Sequence, residues 1–252
     1  MSLTLCLFRV EGQSRIVEKR IVQTRGKAVA GLCASLGPAK ERERLQLGLR
    51  RAPDARLQSV ETKGRYFEAT VHFTRSIRVF GGETIQVPAE YRVWLRKNSS
   101  IVAVAGSSRI LSEAFAKAFQ RGAAGDALTL GAIEFPQNFL SRFENWLASE
   151  VHARPGAILR AKFVNASFNA EKPFDEITLV SQTLLNSKTY KALSSGPGEP
   201  VLISFISPLF EGISRQLSCS LTFRGLLRIS TTEVTPAEAN RLLDEFEALI
   251  SH

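Results

Sequence analysis

Two stretches, far apart in the chain, carry the same order of signals, and that order limits the fold more than any other feature. The first runs from Arg65 to Gly122. In RYFEATVHFTRSIRV, Phe67, Ala69, Val71 and Phe73 alternate with Glu68, Thr70, His72 and Thr74, the period of two expected of a half-buried strand. Gly81-Gly82 supplies a turn. TIQVPAEYRVWLR alternates again, with Ile85, Val87, Ala89, Tyr91, Val93 and Leu95 on one face. Pro88 cannot donate to a ladder and marks an edge, a bulge or a break. A short strand, IVAVAG, follows Asn98-Ser99-Ser100. Ser107 or Ser108 then caps a helix with the apolar stripe Ile110, Leu111, Ala114, Phe115, Ala118 and Phe119.

The second stretch runs from Val201 to the C-terminus. VLISFISPLF reads as a strand interrupted near Pro208, Glu211-Gly212 as a turn. RQLSCSLTFRG places Leu217, Cys219, Leu221 and Phe223 on one face, and LLRISTTEV is the next strand. TPAE then opens a helix: Thr235 is the cap, Pro236 stands where its missing amide does no harm, and Glu238 completes a capping box. Leu242, Leu243, Phe246, Leu249 and Ile250 form its core face.

Between the two stretches, Pro136 precedes a helix over QNFLSRFENWLASEV, with Phe139, Leu140, Phe143, Trp146, Leu147 and Val151 on one face. AILRAKFVNASF reads as a strand. EITLVSQTLLNSKTYKAL is expected to be a helix starting from an Asp175 cap and ended by SSGPGEP. The first sixty residues are least determined: SLTLCLF fits a strand, RIVEKRIVQTR a strand or a helix, and KAVAGLCASLG a short helix closed by Gly37-Pro38. AKERERLQLGLRRAPDAR fits an exposed hairpin, a solvated helix or a flexible arm.

These signals give an α+β fold of two antiparallel sheet-plus-helix units, separate or merged into one curved sheet, with inserted helices. The expected organisation is a basic N-terminal segment at 1–60, a first unit at 61–125, an insertion at 126–200 and a second unit at 201–252, with a soft boundary at Gly122 to Asp126. Comparing IVAVAGSSRILSEAFAKAF with LLRISTTEVTPAEANRLLDEF, the order of strand, polar cap and amphipathic helix coincides while residue identity does not. This element order resembles the TATA-binding-protein-like arrangement, two sheet-plus-helix repeats forming a saddle-shaped sheet. The likeness covers Arg65 to Gly122 and Val201 to His252, and no wedge-phenylalanine motif of that family is present. It implies a sheet-face binding surface and no specific ligand.

Charge adds a direction. The chain has 252 residues and a net charge of +9, with Arg outnumbering Lys 23 to 10. Residues 1–100 hold 19 basic and 9 acidic side chains, and the remainder 14 and 15, so the excess lies in the first hundred residues. Such asymmetry points to an anionic partner, and the planar guanidinium fork suits phosphate. On the strand from Thr84 to Arg96, the face opposite the core carries Gln86, Glu90, Arg92, Trp94 and Arg96, beside Tyr66, Thr70, His72 and Arg78 of the preceding strand. Arg beside Trp and Tyr on an open sheet suits nucleic acid, by phosphate pairing and base stacking. Arg92, Trp94, Arg96, Tyr66 and Arg78, with Arg50 and Arg51 of the charged segment, are the expected contacts. The alternative is that an inserted helix covers Trp94 as a second core. The equivalent face of the second unit, Gln216, Ser218, Ser220, Thr222, Arg224 and Arg228, is polar but scarcely basic.

The chain contains no GxxxxGK[ST], GxGxxG, GxSxG or HExxH motif. Cys6, Cys33 and Cys219 are scattered, do not cluster with His72, His152 or His252, and read as buried thiols of a reducing compartment. No catalytic residue, cofactor or metal site is therefore expected. No apolar run is long enough to cross a bilayer, and the start lacks the pattern of a secretory signal. The expectation is an intracellular, non-catalytic protein that binds DNA or RNA, alone or within a nucleoprotein complex. The alternative is a scaffold subunit or homodimer without nucleic-acid contact.

Overall fold

The computed structural model describes residues 3–11, 24–34, 39–63, 66–96, 101–106, 108–123, 129–166, 174–196 and 198–250. The fold is α+β, with six α-helices and eleven strands among the described residues, joined in antiparallel pairs. The chain divides into two compact units, Leu5–Ala132 and Ile133–His252 with Met1–Thr4.

The first unit contains β1 (Leu3–Glu11, from Leu5 onward), α1 (Val29–Cys33), α2 (Ala39–Leu49), β2 (Arg56–Lys63), β3 (Tyr66–Arg78), β4 (Thr84–Arg96), β5 (Ile101–Ala105), α3 (Arg109–Ala123) and β6 (Thr129–Ala132). Its sheet runs β2-β3-β4-β5-β1, with β6 also on β1. From Leu3 onward SLTLCLF is thus a strand, and the charged segment at 39–49 is a helix whose buried residues are Leu45, Gly48 and Leu49. RIVEKRIVQTR up to residue 23, Gly37-Pro38 and Ser107 lie outside the described residues. The α3 stripe covers one face of the sheet. Phe115 packs on Phe73 and Tyr91, with ring centroids 5.7 and 4.9 Å away, while Phe73 stacks on Tyr91 at 5.4 Å. The alternation places Val71, Val93 and Val104 in that core, all with no exposed surface. Ser108 caps α3 at long range, its Oγ accepting from the Leu111 amide at 3.5 Å.

The second unit contains α4 (Phe139–Ala148), β7 (Ala157–Ala166), β8 (Phe174–Val180), a 3₁₀ turn at Leu184–Asn186, α5 (Lys188–Ser194), β9 (Glu199–Ile206), β10 (Ser218–Thr222), β11 (Leu226–Ile229) and α6 (Pro236–Ile250). Its strands are ordered β11-β10-β9-β7-β8. Both stretches singled out in the sequence are thus three antiparallel strands followed by a helix: β3-β4-β5-α3 and β9-β10-β11-α6. Phe143 of α4 meets Phe205 of β9 edge-on at 5.0 Å and Phe246 of α6 at 6.0 Å, which fixes both helices on one sheet face. The capping box forms. The Thr235 amide donates to Glu238 Oε2 at 2.7 Å, and the Glu238 amide donates to Thr235 Oγ1 at 3.2 Å.

One expected helix is a strand. The segment after Asp175 pairs with β7 as β8, and only Lys188–Ser194 is α-helical, capped by Ser187 Oγ on the Tyr190 amide. The period of two decides it: Ile177 and Leu179 are half-buried while Glu176, Thr178 and Val180 are exposed, and β-branched side chains favour the pleat. Val151, expected on the apolar face of α4, lies beyond its end and is exposed. The three cysteines are buried and unbridged. Burial pushes their thiols above the ordinary range, Cys33 up to about 12.

Candidate nucleic-acid interface

The open face of the β3–β4 pair carries the expected residues in the expected order. Thr70 stands opposite Arg92, His72 opposite Glu90, Glu68 opposite Trp94 and Tyr66 opposite Arg96. The side chains of Tyr66 and Arg96 lie outside the described residues. Arg92 is exposed and Trp94 half-buried. By register Ala103 and Leu7 lie on the same face, across β5 and β1, yet both are buried. The face is open on β3 and β4 and closed beyond them.

Acids share that open face. Glu90 Oε1 accepts from Arg92 Nε and Nη2 at 3.1 and 3.0 Å, and Glu90 Oε2 lies 3.5 Å from His72 Nε2. Trp94 donates its indole N–H to Glu68 Oε2 at 2.5 Å. A phosphate approaching Arg92 must displace one carboxylate, and a base stacking on Trp94 meets another beside it. The arginine–tryptophan pair reads differently in space than in sequence because each side chain meets a glutamate, Trp94 the cross-strand Glu68 and Arg92 the same-strand Glu90.

The two strands continue past the sheet. β2 pairs with β3 no further than Arg56 opposite His72, and β5 meets β4 only from Arg92 onward. Phe73–Arg78 and Thr84–Ala89 therefore form a two-stranded ribbon, six residue pairs and so about 20 Å long. Thr74 stands opposite Pro88, and the Thr74 amide points away from β4 toward Asp54. In such an antiparallel pair both amide positions face outward, so the donor that Pro88 lacks would have faced the open edge. Gly81 and Gly82 turn the tip at φ 105° and 86°, a region open to glycine. The Val79 carbonyl accepts from the Gly82 amide at 3.1 Å.

The ribbon carries two arginines, Arg75 and Arg78, on opposite faces by the alternation of the strand, and its tip holds the exposed Phe80 and Glu83. Arg75, Arg78, Ile77 and Ile85 are exposed, and Phe80 at the tip is entirely so. Asp54 fastens the α2–β2 turn to the base of this ribbon. Its Oδ1 and Oδ2 accept from the Thr74 amide at 3.0 and 2.9 Å, and Oδ2 also accepts from the Thr74 hydroxyl. These bonds hold the Asp54 carboxyl below its ordinary value of 3.8. Arg50 and Arg51 belong to the same turn, their amides donating to the Gln46 and Gly48 carbonyls. Among the described residues, no acid pairs with the guanidinium of Arg50, Arg51, Arg75 or Arg78.

Of the expected contacts, Arg50, Arg51 and Arg78 thus fall on one connected substructure joined through Asp54 and Thr74, while Arg92 and Trp94 fall on the acid-lined face. Arg75, Phe80 and Asp54 were not singled out in the sequence. Arg75 carried a signal, since it takes a core-facing place between Phe73 and Ile77 and marks where the core ends. The matching face of the second unit is occupied by its own bonds at Gln216, whose amide donates to the Pro155 and Ser207 carbonyls, both at 2.9 Å. No group of three or more metal-ligating side chains occurs among the described residues, and none of their helices is long and apolar enough to cross a membrane. No protein-family model and no curated protein matches the chain.

Proposed function

We propose that the chain is a non-catalytic nucleic-acid-binding protein that grips a duplex with the β3–β4 ribbon and the α2–β2 turn. The observation that carries this reading is the set of four exposed arginines, Arg50, Arg51, Arg75 and Arg78, without acid partners among the described residues, on two segments tied together by Asp54 and Thr74. An unpaired guanidinium meets phosphate without first breaking an ion pair, which Arg92 has to do. A two-stranded ribbon fits a duplex groove, and an exposed apolar side chain such as Phe80 is the kind of group that wedges between base steps.

Electrophoretic mobility shift on random-sequence duplex DNA, duplex RNA and single strands tests it, at about 50 and 200 mM salt. The expected result is duplex binding that weakens by tenfold or more across that range. Absence of binding at low salt overturns the reading.

A second reading, a scaffold that docks another protein, is favoured by the apolar side of the same ribbon, where Ile77 stands opposite Ile85 beside Phe80. It predicts an association that resists salt and is lost on Phe80→Ser.

A further inference from the structure

The helices α1 and α2 and the turn after them form an open cleft that shares Arg50 with the proposed duplex surface and is otherwise separate from it. Its volume is about 380 Å³, toward the lower end of the range of ~300–1,000 Å³ typical of small-molecule sites. Ala30, Cys33, Leu45, Leu49 and Pro53 make apolar walls. The space exists because α1 offers small side chains, alanine and cysteine, toward the leucines of α2. Cys33 is buried and donates its S–H to the Ala114 carbonyl at 3.1 Å, so its sulfur is a wall and not a nucleophile.

One side of the cavity is different. Arg42, Gln46 and Arg50 line it from successive i, i+4 positions, and the helical bonding continues to Arg50, whose amide donates to the Gln46 carbonyl at 3.0 Å. They form a row on one helix face about 12 Å long. All three are exposed, and no acid among the described residues pairs with either guanidinium. Arg44, on the opposite side of the same helix, is by contrast paired with Glu113 at 3.1 Å. Among the described residues no aromatic ring lines the cavity, so none of them offers a surface for stacking on a nucleobase.

Two guanidiniums and an amide beside aliphatic walls define the chemistry. We infer that the α1–α2 cavity binds a single-chain aliphatic amphiphile by its anionic head, the chain lying against Leu45, Leu49 and Ala30 and the carboxylate or phosphate on Arg42, Gln46 and Arg50. This inference does not depend on nucleic-acid binding. Its test uses Arg42 and Ala30, neither of which belongs to the duplex surface.

Isothermal titration of the full chain with decanoate, decyl phosphate and neutral decanol, each below its micellar concentration, reads the binding. Saturable binding of decanoate or decyl phosphate, with decanol at least tenfold weaker, is expected, and the arm that binds tells a fatty acid from a phosphate monoester. Arg42→Gln is expected to weaken binding about tenfold, the worth of one charge-assisted hydrogen bond. Ala30→Trp fills the cavity and is expected to abolish it. Circular dichroism checks the fold of Ala30→Trp, and Arg42→Gln, at an exposed position, carries the test alone if that variant does not fold. The inference is overturned by binding of neither anion, by decanol binding as tightly as the anions, or by affinity unchanged in Arg42→Gln.

Discussion

The carboxylate of Asp54 ends the edge of β3 at Thr74, accepting its backbone amide through both oxygens and its hydroxyl as well. In the register of β2 and β3, Asp54 is the residue that would stand opposite Thr74, and its side chain accepts the amide in place of a ladder bond, so the ladder stops there and the ribbon continues alone. Asp54→Ala is expected to free that amide. Its hydrogen exchange, measured by NMR, accelerates at least tenfold relative to the native chain, while the amides of Val71 and Val93 keep their protection. The sign with pH follows from the lowered carboxyl: the clamp is fully present above 3.8 and is lost as pH falls through the lower folded value.

A β-carbon at Gly106 would lie 1.4 Å from Tyr91 Cε1. The Tyr91 ring has nowhere to go, since it is stacked on Phe73 and flanked by Phe115. Gly106→Ala is expected to cost about 1–3 kcal/mol in urea unfolding. Gly81→Ala is a different case, because nothing stands within 4 Å and only the φ of 105° opposes the substitution. Its cost is expected to be smaller and confined to the ribbon tip.

The capping box at Thr235 also couples to pH. Arg215, hydrogen-bonded through two nitrogens, is the first cause that holds the Glu238 carboxyl down to about 2, and the Thr235 amide and hydroxyl add to it. Because the folded value is the lower one, this stabilisation is complete above 4.5 and disappears as pH falls toward about 2. Thr235→Ala is expected to lower stability by about 1 kcal/mol at pH 7. Glu238→Gln is expected to flatten the loss of stability between pH 4.5 and 2. Thermal unfolding across that pH range checks both.

The arginines are expected to divide into two kinds. Arg92 is held by Glu90, so its guanidinium reaches a phosphate only by leaving that carboxylate. The double change Arg92→Ala with Glu90→Ala, which removes the cation and its counter-charge together, is expected to change duplex affinity less than about twofold. Arg78→Ala removes a cation with no acid partner among the described residues and is expected to weaken binding about threefold or more at low salt. Titration of a labelled duplex by fluorescence anisotropy separates the two.

The alternation of β3 and β4 and the Thr235 box were legible in the sequence because each rests on neighbours along the chain. Phe73 and Tyr91 face α3 as their period requires, and Thr235 needs only Glu238, three residues on. What was not legible depends on partners far away. Nothing near Trp94 in sequence announces that Glu68 will receive its indole, and nothing near Arg50 announces that Asp54 will reach Thr74. The strand at 174–180 was missed for another reason. Its alternation spans only seven residues before the 3₁₀ turn, and the apolar residues beyond it extend a pattern that also suits a helix. The α1–α2 cavity had no sequence signal either, since small residues in a short helix show no void until a second helix faces them.

The salt dependence of duplex affinity, compared between the native chain and a variant with Arg50, Arg51, Arg75 and Arg78 all changed to Gln, tests the central claim most directly. The native slope of log affinity against log salt is expected to be about −4, one released counterion for each phosphate neutralised. In the fourfold variant the slope is expected to fall close to zero with the fold intact by circular dichroism. A native chain that ignores duplexes at low salt, or a variant that keeps the native slope, contradicts the claim.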